Sequence, residues 1–95
     1  MSSTVTDDPF VLKIRREISD LDSSLVELVN KRLRLVAQLK RYKDEHGLAF
    51  LDPDREARML DELRRENPGP LSDAGVADLL QAVLDLTKRE VRRAN

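Results

Sequence analysis

From Ile14 to Tyr42 the apolar side chains return in alternating steps of four and three. Ile14, Ile18, Leu21, Leu25, Leu28, Leu35, Leu39 and Tyr42 fall in one register. That spacing lines them up along one stripe of a helix, the a/d seam of a coiled coil. One slot breaks the pattern. Between Leu28 and Leu35 the register calls for an apolar residue, and the chain supplies Arg32. A guanidinium buried without a partner costs several kcal/mol. Three placements satisfy it: a solvated surface, a carboxylate of a partner helix, or an anionic ligand.

The punctuation of the chain bounds this helix and predicts two more. Asp8 is placed as an N-cap and Pro9 as the first helical residue. The seam then runs without Gly or Pro to His46-Gly47, where Gly47 fits a C-terminal stop. The predicted helix is about 37 residues, or roughly 55 Å, long. Leu48-Ala49-Phe50-Leu51 reads as a short apolar connector. Asp52-Pro53 restarts a helix that carries Met59, Leu60 and Leu63 and runs to about Glu66. Asn67-Pro68-Gly69-Pro70 breaks it. Ser72 then caps a third helix, with Leu71 and Val76 spaced as a hydrophobic staple. Its apolar face is Val76, Leu79, Leu80, Val83, Leu84 and Leu86, and it runs to about Arg93. Residues 1–8 read as a polar, frayed leader, and 9–95 as one all-α domain.

The first helix outruns the other two, so much of its seam has nothing in its own chain to pack on. An obligate dimer, with two long helices laid against each other, is the simplest remedy. Size argues the same way, since a lone domain of 95 residues buries only about two-thirds of its unfolded surface. Aromatics are 3% with no Trp, so the core must be aliphatic. A net charge of −1 leaves no global basic field for nucleic acid or an anionic membrane. With no Cys, thiolate nucleophiles, disulfides and Cys-based zinc sites are excluded. No second histidine joins His46, so no metal site is expected. No apolar run matches a transmembrane span and no signal-peptide core is present, which makes the cytoplasm the expected location.

The cations form the candidate chemistry. Arg32 and Lys43 are 11 residues apart, about three turns, and share a face of the helix. Arg15 lies 17 residues before Arg32, roughly 25 Å away and rotated by about 100°. It cannot meet the same small ligand within one chain, but in an antiparallel dimer it can reach the partner's site. Asp52, Arg55 and Glu56 follow at the start of the second helix. Arg55 there runs against the helix dipole, whereas Glu56 complements it. Arg15, Lys43, Arg55 and Glu56 each also fit a plain solvated face.

With these residues in place the chain resembles the all-helical chorismate mutases. The resemblance is carried by Ile14-Arg15-Arg16-Glu17-Ile18-Ser19-Asp20-Leu21-Asp22, by Leu28-Val29-Asn30-Lys31-Arg32, by Lys43, and by Gly47-Leu48 leading to Asp52-Pro53-Asp54-Arg55-Glu56. It spans about residues 11–91 and is ungapped through residue 56. It implies an intertwined antiparallel homodimer of three-helix protomers, two equivalent sites, a small dicarboxylate substrate and no cofactor. By resemblance, Arg15 crosses from the other chain to bind one substrate carboxylate, and Arg32 grips the second. Lys43 hydrogen-bonds the ether oxygen and a carboxylate. Asp52 and Arg55 line the site, and Glu56 accepts a hydrogen bond from the ring hydroxyl. In the third helix Thr87 matches a position usually held by serine. Val91 stands where many members carry Gln or Glu, the second donor to the ether oxygen. Valine donates nothing, so the resemblance implies lowered turnover and a gain on Val91→Gln.

The implied activity is conversion of chorismate to prephenate on the way to phenylalanine and tyrosine, alone or with an aromatic-pathway partner enzyme. Three other functions remain open from the sequence, one of them a plain helical dimerisation module, which leaves Arg32 unexplained. Another is a mutase or lyase acting on 4-amino-4-deoxychorismate or isochorismate. The third is a prephenate-binding regulatory domain, although such domains tend to lose the catalytic cations kept here.

Overall fold

A computed structural model describes residues 8–94. Three helices occupy them, α1 (Pro9–Glu45), α2 (Pro53–Glu66) and α3 (Asp73–Ala94), with no strand among the described residues. The leader expected over residues 1–8 lies, apart from Asp8, outside the described residues. Residues up to Arg34 form one compact unit, and Leu35 onward a second. No helix is long and apolar enough to cross a membrane among the described residues.

Each helix end is closed by the residues the sequence marks for it. Asp8 Oδ1 accepts from the backbone N–H of Phe10 at 2.8 Å and of Val11 at 3.2 Å. At the other end Gly47 adopts φ +66°. Leu48 N–H then reaches the Lys43 carbonyl at 2.8 Å and Gly47 N–H the Asp44 carbonyl at 3.4 Å. These are the paired bonds of a Schellman stop. A Cβ on Gly47 would meet nothing within 4 Å, so only the backbone conformation disfavours a side chain there. Gly47→Ala is expected to cost about 1 kcal/mol. A thermal melt should register this as a drop of roughly 4–8 °C, and an unchanged melting temperature would show that the stop is not strained.

Asp52 Oδ1 caps α2 by accepting from Arg55 N–H at 3.1 Å, with Pro53 as the first helical residue. After Glu66, Asn67 braces the break: its side-chain amide donates to the Leu71 carbonyl at 2.7 Å, and its Oδ1 accepts from Gly69 N–H at 3.1 Å. Ser72 Oγ caps α3 through Gly75 N–H at 3.0 Å. Leu71 folds back over Gly75, so that a Cβ there would lie 2.5 Å from Leu71 Cδ1.

α2 packs on α3. The buried residues among those described are Val76, Leu80, Thr87 and Val91, all on one stripe of α3. Leu79 departs from the predicted apolar face: it is 53% exposed. At 100° per residue it sits about 90° from the centre of that stripe, on the flank rather than the face.

On α1 the seam has little in its own chain to pack on, as its length implied. The seam is uncovered, with Leu21 69%, Leu28 63% and Leu35 57% exposed. The half-covered residues include Val29, Leu33, Val36, Lys40 and Lys43. They repeat the four–three spacing one residue later, as a second stripe rotated by about 100°. Arg32, in the seam register between Leu28 and Leu35, is itself half-buried. Within the single chain the seam leucines are exposed and Arg32 is the more covered residue.

Candidate active site

Two of the expected residues lie in the first unit. Arg15 is exposed and borders an open groove with Phe10, Val11 and Ile14. Arg32 is half-buried on the last full turns of that unit. Lys43, Asp52, Arg55, Glu56, Thr87 and Val91 belong to the second unit.

Within the second unit the Schellman stop does the positioning. By turning the chain at Gly47 it brings the connector back beside the last turns of α1. The Phe50 carbonyl accepts a long 3.5 Å hydrogen bond from Lys43 Nζ. The Phe50 ring lies 5.9 Å from Lys40 Nζ, in cation–π range. Lys40 also pairs with Asp44 at 2.8 Å on the surface. His46 is a helix-end residue: its Nδ1 is 2.8 Å from the Tyr42 carbonyl, and its ring stacks on Tyr42 at 4.0 Å.

The start of α2 divides its residues between structure and site. The Asp52 carboxylate serves as the N-cap. The Arg55 guanidinium runs along its own helix to Met59, with Nη1 2.9 Å from Sδ. Glu56 turns the other way. It is half-buried, lines a cavity of about 200 Å³ with Leu60, Leu80 and Leu84, and stands 3.6 Å from Lys88 Nζ on α3.

On α3, Thr87 and Val91 are buried. The Thr87 hydroxyl donates to the Val83 carbonyl at 2.6 Å, the common back-bond of a helical threonine, which holds its proton within α3. Val91 forms the wall of a second cavity, about 270 Å³, together with Lys40, Phe50, Leu51, Lys88 and Arg92. The structure thus links Lys43 to Val91 through Phe50, and Glu56 to Val91 through Lys88. Asp52 and Arg55 are occupied along their own helix.

Two residues of this cluster, Phe50 and Lys88, have no signal in the sequence reading. Phe50 lies in a connector that read only as apolar. Lys88 reads as one of a basic run toward the C-terminus, and its contact with Glu56 joins α3 to α2 across 32 positions of sequence. The second stripe of α1 did have a signal, the Val29-Leu33-Val36 spacing, masked by the lysines that continue it.

Three helices, a long first one with an uncovered apolar seam and two shorter ones joined by the Lys88–Glu56 ion pair, define an all-helical domain. The chain belongs to the family Chorismate mutase type II, which matches residues 14–92. It is 42% identical over 78 residues to the T-protein of Haemophilus influenzae, covering 81% of this chain and 20% of that protein. It is 30% identical over 61 residues to the 4-amino-4-deoxychorismate mutase of Streptomyces venezuelae, covering 64% of this chain and 59% of that one. Its fold is similar to the form II structure of chorismate mutase from Thermus thermophilus, with a TM-score of 0.83 and 31% identity, covering 87% of this chain and 94% of that chain. The chain spans about a fifth of the length of the T-protein relatives it matches.

Proposed function

We propose that this chain rearranges chorismate to prephenate, in the cytoplasm, as an antiparallel homodimer with two sites. The observation that carries the reading is that Arg15, Arg32, Lys43 and Glu56 all stand inside the family match at residues 14–92. The exposed seam of α1 supports the dimer, since eight large apolar residues from Ile14 to Tyr42 lie open in one stripe. Such a stripe marks a protein interface.

The residue types suit the reaction. The rearrangement is intramolecular, with no nucleophile and no obligatory proton transfer. The site must hold the compact chair-like conformer and favour the charge that develops as the carbon–oxygen bond breaks. Arg32 from one chain and Arg15 from the other each present a planar fork to one carboxylate. Holding both carboxylates restricts the substrate to the reactive conformer. Lys43 reaches the ether oxygen, where a preorganised cation acts on the transition state more than on the ground state. Its weak bond to the Phe50 carbonyl at 3.5 Å leaves the ammonium two further protons to give. Glu56 accepts from the ring hydroxyl.

A second substrate has a specific observation behind it: the similarity to a 4-amino-4-deoxychorismate mutase. An amine in place of the hydroxyl would also pair with a Glu56 carboxylate. Incubating the purified chain separately with chorismate, 4-amino-4-deoxychorismate and isochorismate, and following each by chromatography, distinguishes the readings. Chorismate should be consumed with prephenate as product. Consumption of the amino compound alone would move the assignment to that substrate. Binding of prephenate with no turnover of any of the three would make the chain a regulatory domain.

A further inference from the structure

Val91 creates a chemical deficit. It is buried at 5% exposure at the position matched to the second donor to the ether oxygen, and it has no proton to give. The structure sets a cation beside it. Lys88 precedes Val91 by three residues on α3, a spacing that puts the two side chains on neighbouring parts of one helix face. Both line the same cavity of about 270 Å³, together with Phe50 and Leu51. Lys88 Nζ is also 3.6 Å from Glu56 Oε2, and both side chains are only about one-third exposed. The ammonium thus hangs between the carboxylate matched to the ring hydroxyl and the space that Val91 fronts.

We infer that Lys88 is a further catalytic residue, whose ammonium supplies to the ether oxygen the hydrogen bond that Val91 cannot. The inference rests on the mutase reading of the same site. A lysine carries three donors on a flexible four-carbon stem. One can stay on Glu56 while another points into the cavity. Glu56 has two oxygens and lone pairs enough to hold Lys88 and accept the ring hydroxyl together. Two functions are thus met by one ion pair: the carboxylate orients the cation, and the cation keeps the carboxylate aimed inward. A pair this exposed adds little to stability by itself, so a purely structural role would leave turnover nearly unchanged. With Lys88 in this role the chain has two cations for the ether oxygen, Lys43 and Lys88. Val91→Gln alone then gains far less than the sequence implied.

Steady-state kinetics of chorismate consumption in the full chain test this on the parent, Lys88→Met, Lys88→Arg, Val91→Gln and the double variant Lys88→Met with Val91→Gln. Lys88→Met should lower kcat by roughly tenfold or more, with KM nearly unchanged, because the lost contact forms in the transition state. Lys88→Arg should retain most of kcat. Val91→Gln should restore most of kcat in the Lys88→Met background and should raise kcat more there than in the parent, the non-additivity expected of two donors to one atom. Circular dichroism melts should match the parent, confirming that each variant is folded. A Lys88→Met kcat within about twofold of the parent overturns the inference, and so does a loss that Val91→Gln fails to recover. If the parent itself consumes no chorismate, the mutase reading fails; if the parent is active and Lys88→Met equally so, only the role of Lys88 fails.

Discussion

Lys43→Ala is expected to lower kcat for chorismate rearrangement by about 10²–10³-fold. The size follows from what the residue does. No proton moves and no covalent intermediate forms, so the barrier falls only through restriction of the substrate and through cations aimed at the breaking bond. Lys43 is held by two features of its own neighbourhood. Its backbone carbonyl is bound by Leu48 N–H in the Schellman stop at 2.8 Å. Its ammonium is steadied by the Phe50 carbonyl at 3.5 Å. Replacement by alanine, the best helix former, leaves the last turn of α1 intact while removing the cation. Stopped-time assays at saturating chorismate check the prediction, since the loss should fall on kcat. A loss confined to KM would show that Lys43 only binds substrate, without acting on the transition state.

Leu28→Glu is expected to take the proposed dimer apart. Leu28 is 63% exposed within the chain and sits in the middle of the seam. Fully burying a leucine contributes about 1.5–3 kcal/mol. A symmetric dimer loses two of them, or about 3–6 kcal/mol, before the cost of desolvating two carboxylates. That corresponds to a weakening of roughly 10²–10⁴-fold in the dimer dissociation constant. Sedimentation at micromolar concentration should report a monomer for the variant and a dimer for the parent. Activity should fall with it, because a monomer has no Arg15 from a second chain. A Leu28→Glu protein that stays dimeric with full turnover would show that the seam is not the interface.

The helices were legible in the sequence because each boundary is chemically marked within a few residues. Asp8, Gly47, Asp52 and Ser72 act locally, and a cap or a left-handed stop does not depend on what lies across the fold. The seam was legible for the same reason, as one periodicity along one helix. What the seam does was less so. Its leucines are open within the chain, while the covered row of α1 is the stripe one residue later, where Lys40 and Lys43 continue Val29, Leu33 and Val36. Long lysine stems cover apolar surface without reading as apolar. Arg32, in the register between Leu28 and Leu35, is half-buried where those two leucines are exposed.

The positions of the candidate residues along their own helices were legible, Lys43 on the last turns of α1 and Asp52, Arg55 and Glu56 where a cap announces the start of α2. The structure sorts that last group by direction, with Asp52 used as a cap and Arg55 laid along α2 toward Met59, so that Glu56 faces α3. Its partner Lys88 was out of reach for local reasoning, because the pairing depends on how α2 packs on α3. Leu79 failed for the converse reason: it has the right spacing for an apolar face, yet tertiary packing centres that face elsewhere.

The central claim is that two chains complete each site, with Lys43 from one and Arg15 from the other. Subunit complementation measures this directly. Arg15→Ala and Lys43→Ala are each purified, assayed alone, then mixed in equal amounts, unfolded together and refolded. Random pairing makes about half the dimers mixed. In a mixed dimer one site carries both lesions and the other carries neither. The mixture should therefore convert chorismate at about one quarter of the parent rate while each variant alone stays far below it. A refolded mixture no more active than the average of its two components would contradict the account.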